Sequence, residues 1–560
     1  MAHLWNVIAA SAGGDTALHP ASSGGQRVGL ADLLGEAEHT AGQVLGALGG
    51  RAPRRLGVLM ANGEPWVRGV LAATRLDSAV VPLPLPVAFA GPDAYIRHLR
   101  RIAEDAQFEA VLVDASLRRA TTAMIARDLP DVSFIDITER SNAAPPPPVA
   151  AGDDALAVIQ YTSGSTSAPK GVTVTHGNVG HGLSAVVAGL ELTRDDTFGL
   201  WVPLYHDMGL FCMLASFSCG ASVWLWRPAD FIRRPLGWLE RFALAGATVL
   251  AAPNFSFDHM VAGAKAEPCP GLDLSRWRVA ANGAEPVQRR TLEAFEKTFG
   301  RYGLRDETLD PVYGMAEATL MISGRGTRAR WSSVLVDRDR LGVGQQVRLL
   351  SGDAPAATGR AVVCCGSAVP GLGLRIAGPQ TQVLPAGVVG EVQITGPAVT
   401  RGYLHPPAQG QPFTADGWLR TGDLGFLIDD ELYLIGRLKD MIIVRGQNYY
   451  AEDVEEIVRA VPGAASRRSA AVPWAKNGTE RMAVIVETSL DPDEAAAVAV
   501  AARERIRSHL GLDAVDVIPV PPATIPFTTS GKVKRGATLD LVRDSLDPDG
   551  ATVPARGASR

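Results

Sequence analysis

The sequence predicts an α/β protein: a large N-terminal region of layered α/β subdomains, a β-rich subdomain after it, and a small α+β unit at the C-terminal end. Three observations predict it. Apolar strand-like runs alternate with helix-like runs over the first 140 residues and onward to about residue 303. Residues 380 to 435 then become rich in strands and turns. Beyond "GRLKDMIIVRG" (436–446) a helix–strand–helix series begins. Alternating strands and helices are the pattern of a largely parallel sheet covered by helices.

Taken in order, "RRLGVLMA" (54–61) reads as a buried strand and "PWVRGVLAATRL" (65–76) as a helix. "SAVVPLPL" (78–85) and "FEAVLVDA" (108–115) read as further strands. "AAPPPPVAAGDD" (143–154) is an exposed connector, because proline has no N–H to give a helix or a central strand. "ATVLAAP" (247–253) continues the strands and "VQRRTLEAFEKTFGRYG" (287–303) the helices. "GEVQIT", "WLRTGD" and "ELYLIG" mark the β-rich part. The last unit holds the helix "AEDVEEIVRAV", the strand "RMAVIVET" and the helix "DEAAAVAVAARERIRSHL". Expected boundaries are 1–436, 437–545 and a disordered Gly/Arg/Pro/Asp-rich tail over 546–560.

Length and composition exclude several classes. A chain of 560 residues is too long for one simple domain at about 150 residues each. Apolar residues make up 46%, enough for large cores, and the formal charge of −5 lacks the basic excess of a nucleic-acid binder. Cys212, Cys219, Cys269, Cys364 and Cys365 form no CxxC pair, which argues against a zinc cluster or disulfide scaffold. The N-terminus has an apolar run with no Lys or Arg before it, a poor signal peptide. Residues 208–226 are uncharged and approach membrane-span length, but Gly220 divides them and Asp207 and Arg227 flank them. They read as a buried helix followed by the strand "SVWLW". The expectation is a cytoplasmic protein with no integral membrane association.

"YTSGSTSAPKGVTVTHGN" (161–178) follows the apolar strand "LAVIQ". A turn rich in hydroxyls and glycine offers backbone N–H and side-chain O–H donors at close range, and Lys170 adds a positive charge. Those are the needs of a polyphosphate. It is not a Walker A loop: Pro169 stands where that loop has glycine, and Gly171 where it has Ser or Thr. A Ser/Thr-rich surface loop is the plain alternative.

Five further motifs follow in order: "NGAEP" (282–286), "YGMAE" (313–317), "RTGDLG" (420–425), "GRLKD" (436–440) and "TTSGKVKR" (528–535). Together with 161–171 they resemble the adenylate-forming superfamily of acyl-CoA synthetases, luciferases and peptide-synthetase adenylation domains. The resemblance covers nearly the whole chain. It implies that a carboxylic acid and Mg-ATP give an acyl-adenylate and pyrophosphate, with catalysis by positioning and charge neutralisation.

The resemblance also implies roles. Thr162, Ser163, Gly164, Ser165, Thr166 and Lys170 would hold the β- and γ-phosphates. Tyr313 would pack on adenine, with Gly283, Ala284, Glu285, Gly314 and Met315 in the same pocket. Asp423 would accept the ribose hydroxyls, and Arg437 would add a ribose or phosphate contact. Glu317 would be the Mg²⁺ ligand, and Lys532 would reach the α-phosphate and the substrate carboxylate. His206, in "PLYHDMG", would help orient that carboxylate. Lys439 would be the hinge about which the small C-terminal domain swings. Taken singly, Glu317 and Asp423 read as surface carboxylates, Lys532 as a solvated lysine, Tyr313 as a core aromatic and His206 as a structural histidine. Their places in matching motifs are what assign them.

Several stretches are most similar to the fatty acyl-AMP ligases, among them "WVPLYHDMGL", "APNFSFD" and "LKDMIIVRGQNYYAEDVE". Residues 324–366 fit the inserted element of that branch, which disfavours the CoA-transfer arrangement; a long surface loop is the alternative. The acyl group would then pass to the phosphopantetheine thiol of a separate acyl carrier protein, in polyketide, lipopeptide or lipid assembly. No fused carrier domain is evident, since "DSLD" (544–547) has no helical unit after it. Phe211, Asn254 and Phe255, with Phe217 and Phe257, are the acyl-binding candidates. Ser167 and Ala168 stand where many relatives carry glycine. A CoA or aryl-acid ligase and a non-catalytic adenylate-binding homologue are the competing readings.

Overall fold

The computed structural model describes residues 3–546 except 22–25, 87–90, 118, 148–151, 163–168, 267–268, 327–328, 353, 355–357, 406–411, 446, 466–467, 477–478 and 529–531. Two large sheets carry the N-terminal region. A six-stranded sheet runs in the order Ser133–Asp136, Ala110–Val113, Arg55–Val58, Ala79–Pro82, Leu156–Thr162, Lys170–Thr175. Its neighbours are parallel except the last pair, an antiparallel hairpin. Runs such as "AVLV" and "AVVP" are buried at every position, as strands covered on both faces require.

A seven-stranded sheet runs Leu309–Pro311, Val279–Gly283, Val249–Pro253, Thr197–Leu200, Ser222–Leu225, Ala17–Pro20, Val28–Gly29. All its pairs are parallel except the last. The uncharged stretch near residue 210 is resolved here. Asp207–Cys219 is a helix that ends at Gly220 in the left-handed conformation, where glycine has no Cβ penalty. The chain then enters the strand Ser222–Leu225 in the middle of the sheet. Among the described residues no helix is long and apolar enough to cross a membrane.

The β-rich part is a four-stranded antiparallel sheet of Gly373–Ala377, Gly390–Thr395, Leu419–Ile428 and Glu431–Arg437. Ahead of it, Ser333–Asp337 pairs with Gly359–Val363 as a hairpin inside the 324–366 element. Val336, Val362 and Cys364 of that element share a buried cluster with Leu424, Phe426 and Tyr433 of the sheet and with Tyr450 beyond it.

Residues from Ile442 onward build two clusters of their own. A three-stranded sheet of Ser469–Lys476, Thr479–Glu487 and Val515–Val520 packs with the helices Ala451–Arg459, Pro492–Leu510 and Arg535–Leu546. Pro492–Leu510 begins where Asp491 accepts the N–H of Asp493 and Glu494, with proline in its first turn, and it stops at left-handed Gly511. The expected tail lies outside the described residues except for Leu546, the buried last residue of the final helix.

Charged contacts join this C-terminal unit to the rest. Asp453 receives Arg360 at 2.8 Å and Arg338 at 3.3 Å, both from the 324–366 element. The Arg360 guanidinium lies 4.7 Å from the Tyr450 ring centroid, and the Tyr450 hydroxyl donates to the Leu341 carbonyl at 2.8 Å. Arg290 pairs with Glu456.

Candidate active site

In open parallel sheets, ligands bind beyond the carboxyl ends of the strands, where the loops gather. The seven-stranded sheet delivers Asn254 and Phe255 just past Pro253, Ala284 and Glu285 just past Gly283, and Tyr313 just past Pro311. His206 follows the strand Thr197–Leu200 at the start of the next helix. A cavity of about 1110 Å³ opens there, closed on its far side by the C-terminal unit. Ala284, Glu285, Tyr313, Asp423, Arg437 and Lys532 all line it.

Tyr313 donates from its hydroxyl to Asp423 Oδ2 at 2.6 Å. Arg437 Nε meets Asp423 Oδ1 at 2.8 Å, because the two residues are register partners on adjacent antiparallel strands. Burial, with Asp423 beside it, pushes the Tyr313 phenol well above its usual range, so it stays a donor. The Asp423 carboxylate, next to it and against burial, holds the Arg437 proton more firmly than usual. An ionised carboxylate has about four lone-pair positions, so Asp423 keeps capacity for two further donors. Gly314 follows at a close approach: a Cβ there would lie 2.1 Å from the Leu320 carbonyl oxygen. Met315 sulfur lies 4.0 Å from the Tyr313 hydroxyl.

Glu285 and Asn254 have structural work. Glu285 Oε1 accepts the Phe255 N–H at 2.6 Å, one of the first N–H groups of the helix Asn254–Ala266, which have no partner within the helix. Asn254 donates to Thr291 Oγ1 at 3.1 Å and accepts from Asn282 and from the Gln288 N–H. Phe255 lines the cavity. Behind it the Trp201 ring stands edge-on at 6.1 Å and stacks on Phe231 at 4.0 Å. Phe211, Phe217 and Phe257 are wholly buried in the main core.

Glu317 sits in a short 3₁₀ turn and is 8% exposed. Tyr403 donates to its Oε1 at 2.8 Å. Burial raises the Glu317 carboxyl above its ordinary range, and the Tyr403 bond opposes that shift. Two residues on, Thr319 has φ of +65°, a conformation that costs a β-branched residue strain. Thr162 and Lys170 face one another as register partners at the mouth of the hairpin, with the Lys170 ammonium 5.6 Å from the Tyr403 ring centroid. Ser163, Gly164, Ser165 and Thr166 lie outside the described residues.

Lys532 comes from the C-terminal unit, where it lines the cavity and is exposed. Burial, then the Arg437 charge, makes its ammonium easier to deprotonate, while Asp423, Asp207 and Glu452 oppose this. Lys439, in the turn Leu438–Asp440, is pushed down to about 8 by burial and Arg437. His206 stands just before the helix Asp207–Cys219 without a side-chain capping bond, its ring 4.6 Å from that of Tyr205.

Four residues near this site were not singled out in the sequence, although Asp207, Glu452 and Arg535 lie inside the motifs quoted above. Asp207 adds negative charge near both Glu317 and Lys532. Glu452 lines the cavity with its carboxyl pushed up to about 7 by burial. Arg535 pairs with Glu455 at 3.0 Å and fixes the chain just after Lys532. Tyr403 is the fourth.

Among the described residues one other cluster has the spacing of a metal site: His3, Asp77 and His176. The Trp5 N–H donates to His3 Nδ1 and the Leu4 N–H to His176 Nδ1. Each neutral ring therefore carries its proton on Nε2, the atom facing Asp77, and has no lone pair there for a cation.

The cavity lies between a large unit and a small lysine-bearing one, and the enzyme class follows from the family match. Residues 6–404 match the AMP-binding enzyme family, and the chain belongs to it. It is 32% identical over 519 residues to the long-chain-fatty-acid–AMP ligase FadD26 of Mycobacterium tuberculosis, covering 87% of each chain. It is 35% identical over 417 residues to the medium-chain-fatty-acid–[acyl-carrier-protein] ligase JamA of Moorena producens, covering 70% of this chain and 69% of that one. A structure from a study of fatty acyl-adenylate ligases of E. coli and L. pneumophila superposes with a TM-score of 0.87 at 28% identity, over 98% of this chain and 99% of the other.

Proposed function

We propose that the protein activates a fatty acid with ATP, releasing pyrophosphate, and passes the acyl group from acyl-AMP to the phosphopantetheine thiol of a separate carrier protein, releasing AMP. The observation that carries this reading is the convergence of Tyr313, Asp423 and Arg437 from one unit and Lys532 from the other on one cavity. The named activities of FadD26 and JamA support both halves of the reaction. The setting is the cytoplasm.

In this reading Tyr313 flanks the adenine and Asp423 takes the ribose hydroxyls with its remaining lone pairs. Thr162, Lys170 and the loop between them hold the β- and γ-phosphates. Lys532 approaches the α-phosphate and the substrate carboxylate, which repel each other until a cation lies between them. His206 orients the carboxylate, and Phe255 borders the acyl chain. Glu317 fits a magnesium ion: it is a hard oxygen donor with one oxygen bonded to a single phenol, and Mg²⁺ takes one or two protein carboxylates with phosphates and waters. When bound, the ion neutralises triphosphate charge. After adenylation the C-terminal unit turns about Lys439 to admit the thiol, and the 324–366 element restrains that turn through Asp453.

The test is incubation with Mg-ATP and a ladder of fatty acids, alone, with CoA, or with a phosphopantetheinylated carrier, read by mass spectrometry. Acyl-AMP that ignores CoA and is consumed by the carrier is the expected outcome. Efficient acyl-CoA formation would replace the reading with a CoA ligase.

A further inference from the structure

Tyr403 lies in "TRGYLH", a stretch with no catalytic signature, yet it meets two of the groups assigned above. Its hydroxyl donates to Glu317 Oε1 at 2.8 Å, and its ring lies 5.6 Å from the Lys170 ammonium. Backbone bonds on both sides hold it in place. The Thr173 N–H donates to the Gly402 carbonyl at 3.1 Å, and the Leu404 N–H to the Gly171 carbonyl at 2.8 Å. The segment thus adds itself to the edge of the strand that carries Lys170 at its start. Glu317 is tied to the same segment by the Thr400 N–H, which donates to its main-chain carbonyl at 2.7 Å.

We propose that Tyr403 is a positioning residue that couples the metal-binding carboxylate to the phosphate-binding lysine: its hydroxyl aims Glu317 and its ring seats Lys170. The inference rests on the roles given above to Glu317 and Lys170. A carboxylate in so confined a place has few orientations, and a phenol on one oxygen selects the one that presents the other to a cation. Partners of this kind behind a metal-binding group are worth about 10- to 100-fold in metal affinity. An aromatic face attracts an ammonium but leaves its three N–H donors free for phosphate.

The two contacts separate by substitution. Tyr403→Phe removes the hydroxyl and keeps the ring, and Tyr403→Leu removes both. Binding of Mn²⁺ to the protein with a non-hydrolysable ATP analogue is followed by electron paramagnetic resonance. Binding of the same analogue without metal is followed by calorimetry, and melting curves check folding. The Phe variant should bind Mn²⁺ about 10-fold more weakly and the metal-free analogue as the parent does. The Leu variant should lose affinity for both. Glu317→Gln is run beside them. If Glu317→Gln weakens Mn²⁺ binding and Tyr403→Phe leaves it unchanged, the role of Tyr403 falls while that of Glu317 stands. If Glu317→Gln itself leaves Mn²⁺ binding unchanged, the reading of Glu317 as the metal ligand falls and takes the proposal with it.

Discussion

Asp453→Asn removes one carboxylate from between two guanidinium groups. In the folded protein Arg360 and Arg338 reach it at 2.8 and 3.3 Å, and the three side chains are 12–24% exposed. With the charge gone the arginines face each other with no anion between them. Burial and Arg360 already make the Arg338 proton easier to lose than usual. Breaking a fully buried pair costs about 3–5 kcal/mol, and an exposed one about 0–1 kcal/mol. For partly screened groups about 2 kcal/mol is the working figure, a factor of roughly 30 in equilibrium constant. Because these contacts bridge residues 324–366 and the C-terminal unit, that factor acts on the docking of one against the other. Trypsin cleavage between residues 437 and 446 should quicken, and small-angle scattering should show a larger radius of gyration. Acyl-AMP formation should slow while any transfer to free CoA rises. Cleavage and scattering identical to the parent would refute the reasoning, since no bridge of consequence would have been broken. Replacing all three residues together by Leu, Met and Met should recover much of that docking, because packing can substitute for a buried ion pair.

Three further outcomes are expected. Lys532→Ala should lower adenylation, read by pyrophosphate exchange, by about 10²–10³ with the melting temperature unchanged. Gly314→Ala forces a methyl to within 2.1 Å of the Leu320 carbonyl oxygen, so the strands must part; a loss of about 2–4 kcal/mol should be seen in denaturant titration. Burial and the nearby His3 push His176 down to about 4 from 6.5. Its folded pKa lies below its unfolded one, so its contribution is complete above pH 6.5 and is lost as pH falls toward 4, by roughly 2–3 kcal/mol. His176→Asn should flatten the fall in melting temperature across that window.

The strands and their order of appearance were legible because buried parallel strands are continuous apolar runs, as in "AVLV" and "VLAAP". Tyr313, Asp423 and Arg437 were picked out by their places in motifs that resemble a known family, and the fold brings the three to one cavity, with Asp423 opposite Arg437 in register. Tyr403 was not: its partner Glu317 is 86 residues away, and a lone tyrosine looks alike in a core and beside a metal ligand. Asp453 was not, because one aspartate among many on an amphipathic helix gives no hint of which arginines face it. Phe255 and Phe211 read identically in sequence, yet one borders the cavity and the other is sealed in the core. Asn254 and Glu285 stand in informative motifs, but hydrogen bonds that only the fold reveals tie them to local scaffolding.

The ring pile behind the cavity supplies an optical handle. Phe255 separates the open space from Trp201, whose indole is 3% exposed and rests on Phe231. An acyl chain that displaces Phe255 should alter the surroundings of Trp201 before those of Trp277, which packs against Phe242 and Phe295. The protein therefore carries its own fluorophore at the border of the proposed acyl site. Fatty-acid occupancy can be titrated by emission from the unlabelled chain, without coupling to turnover.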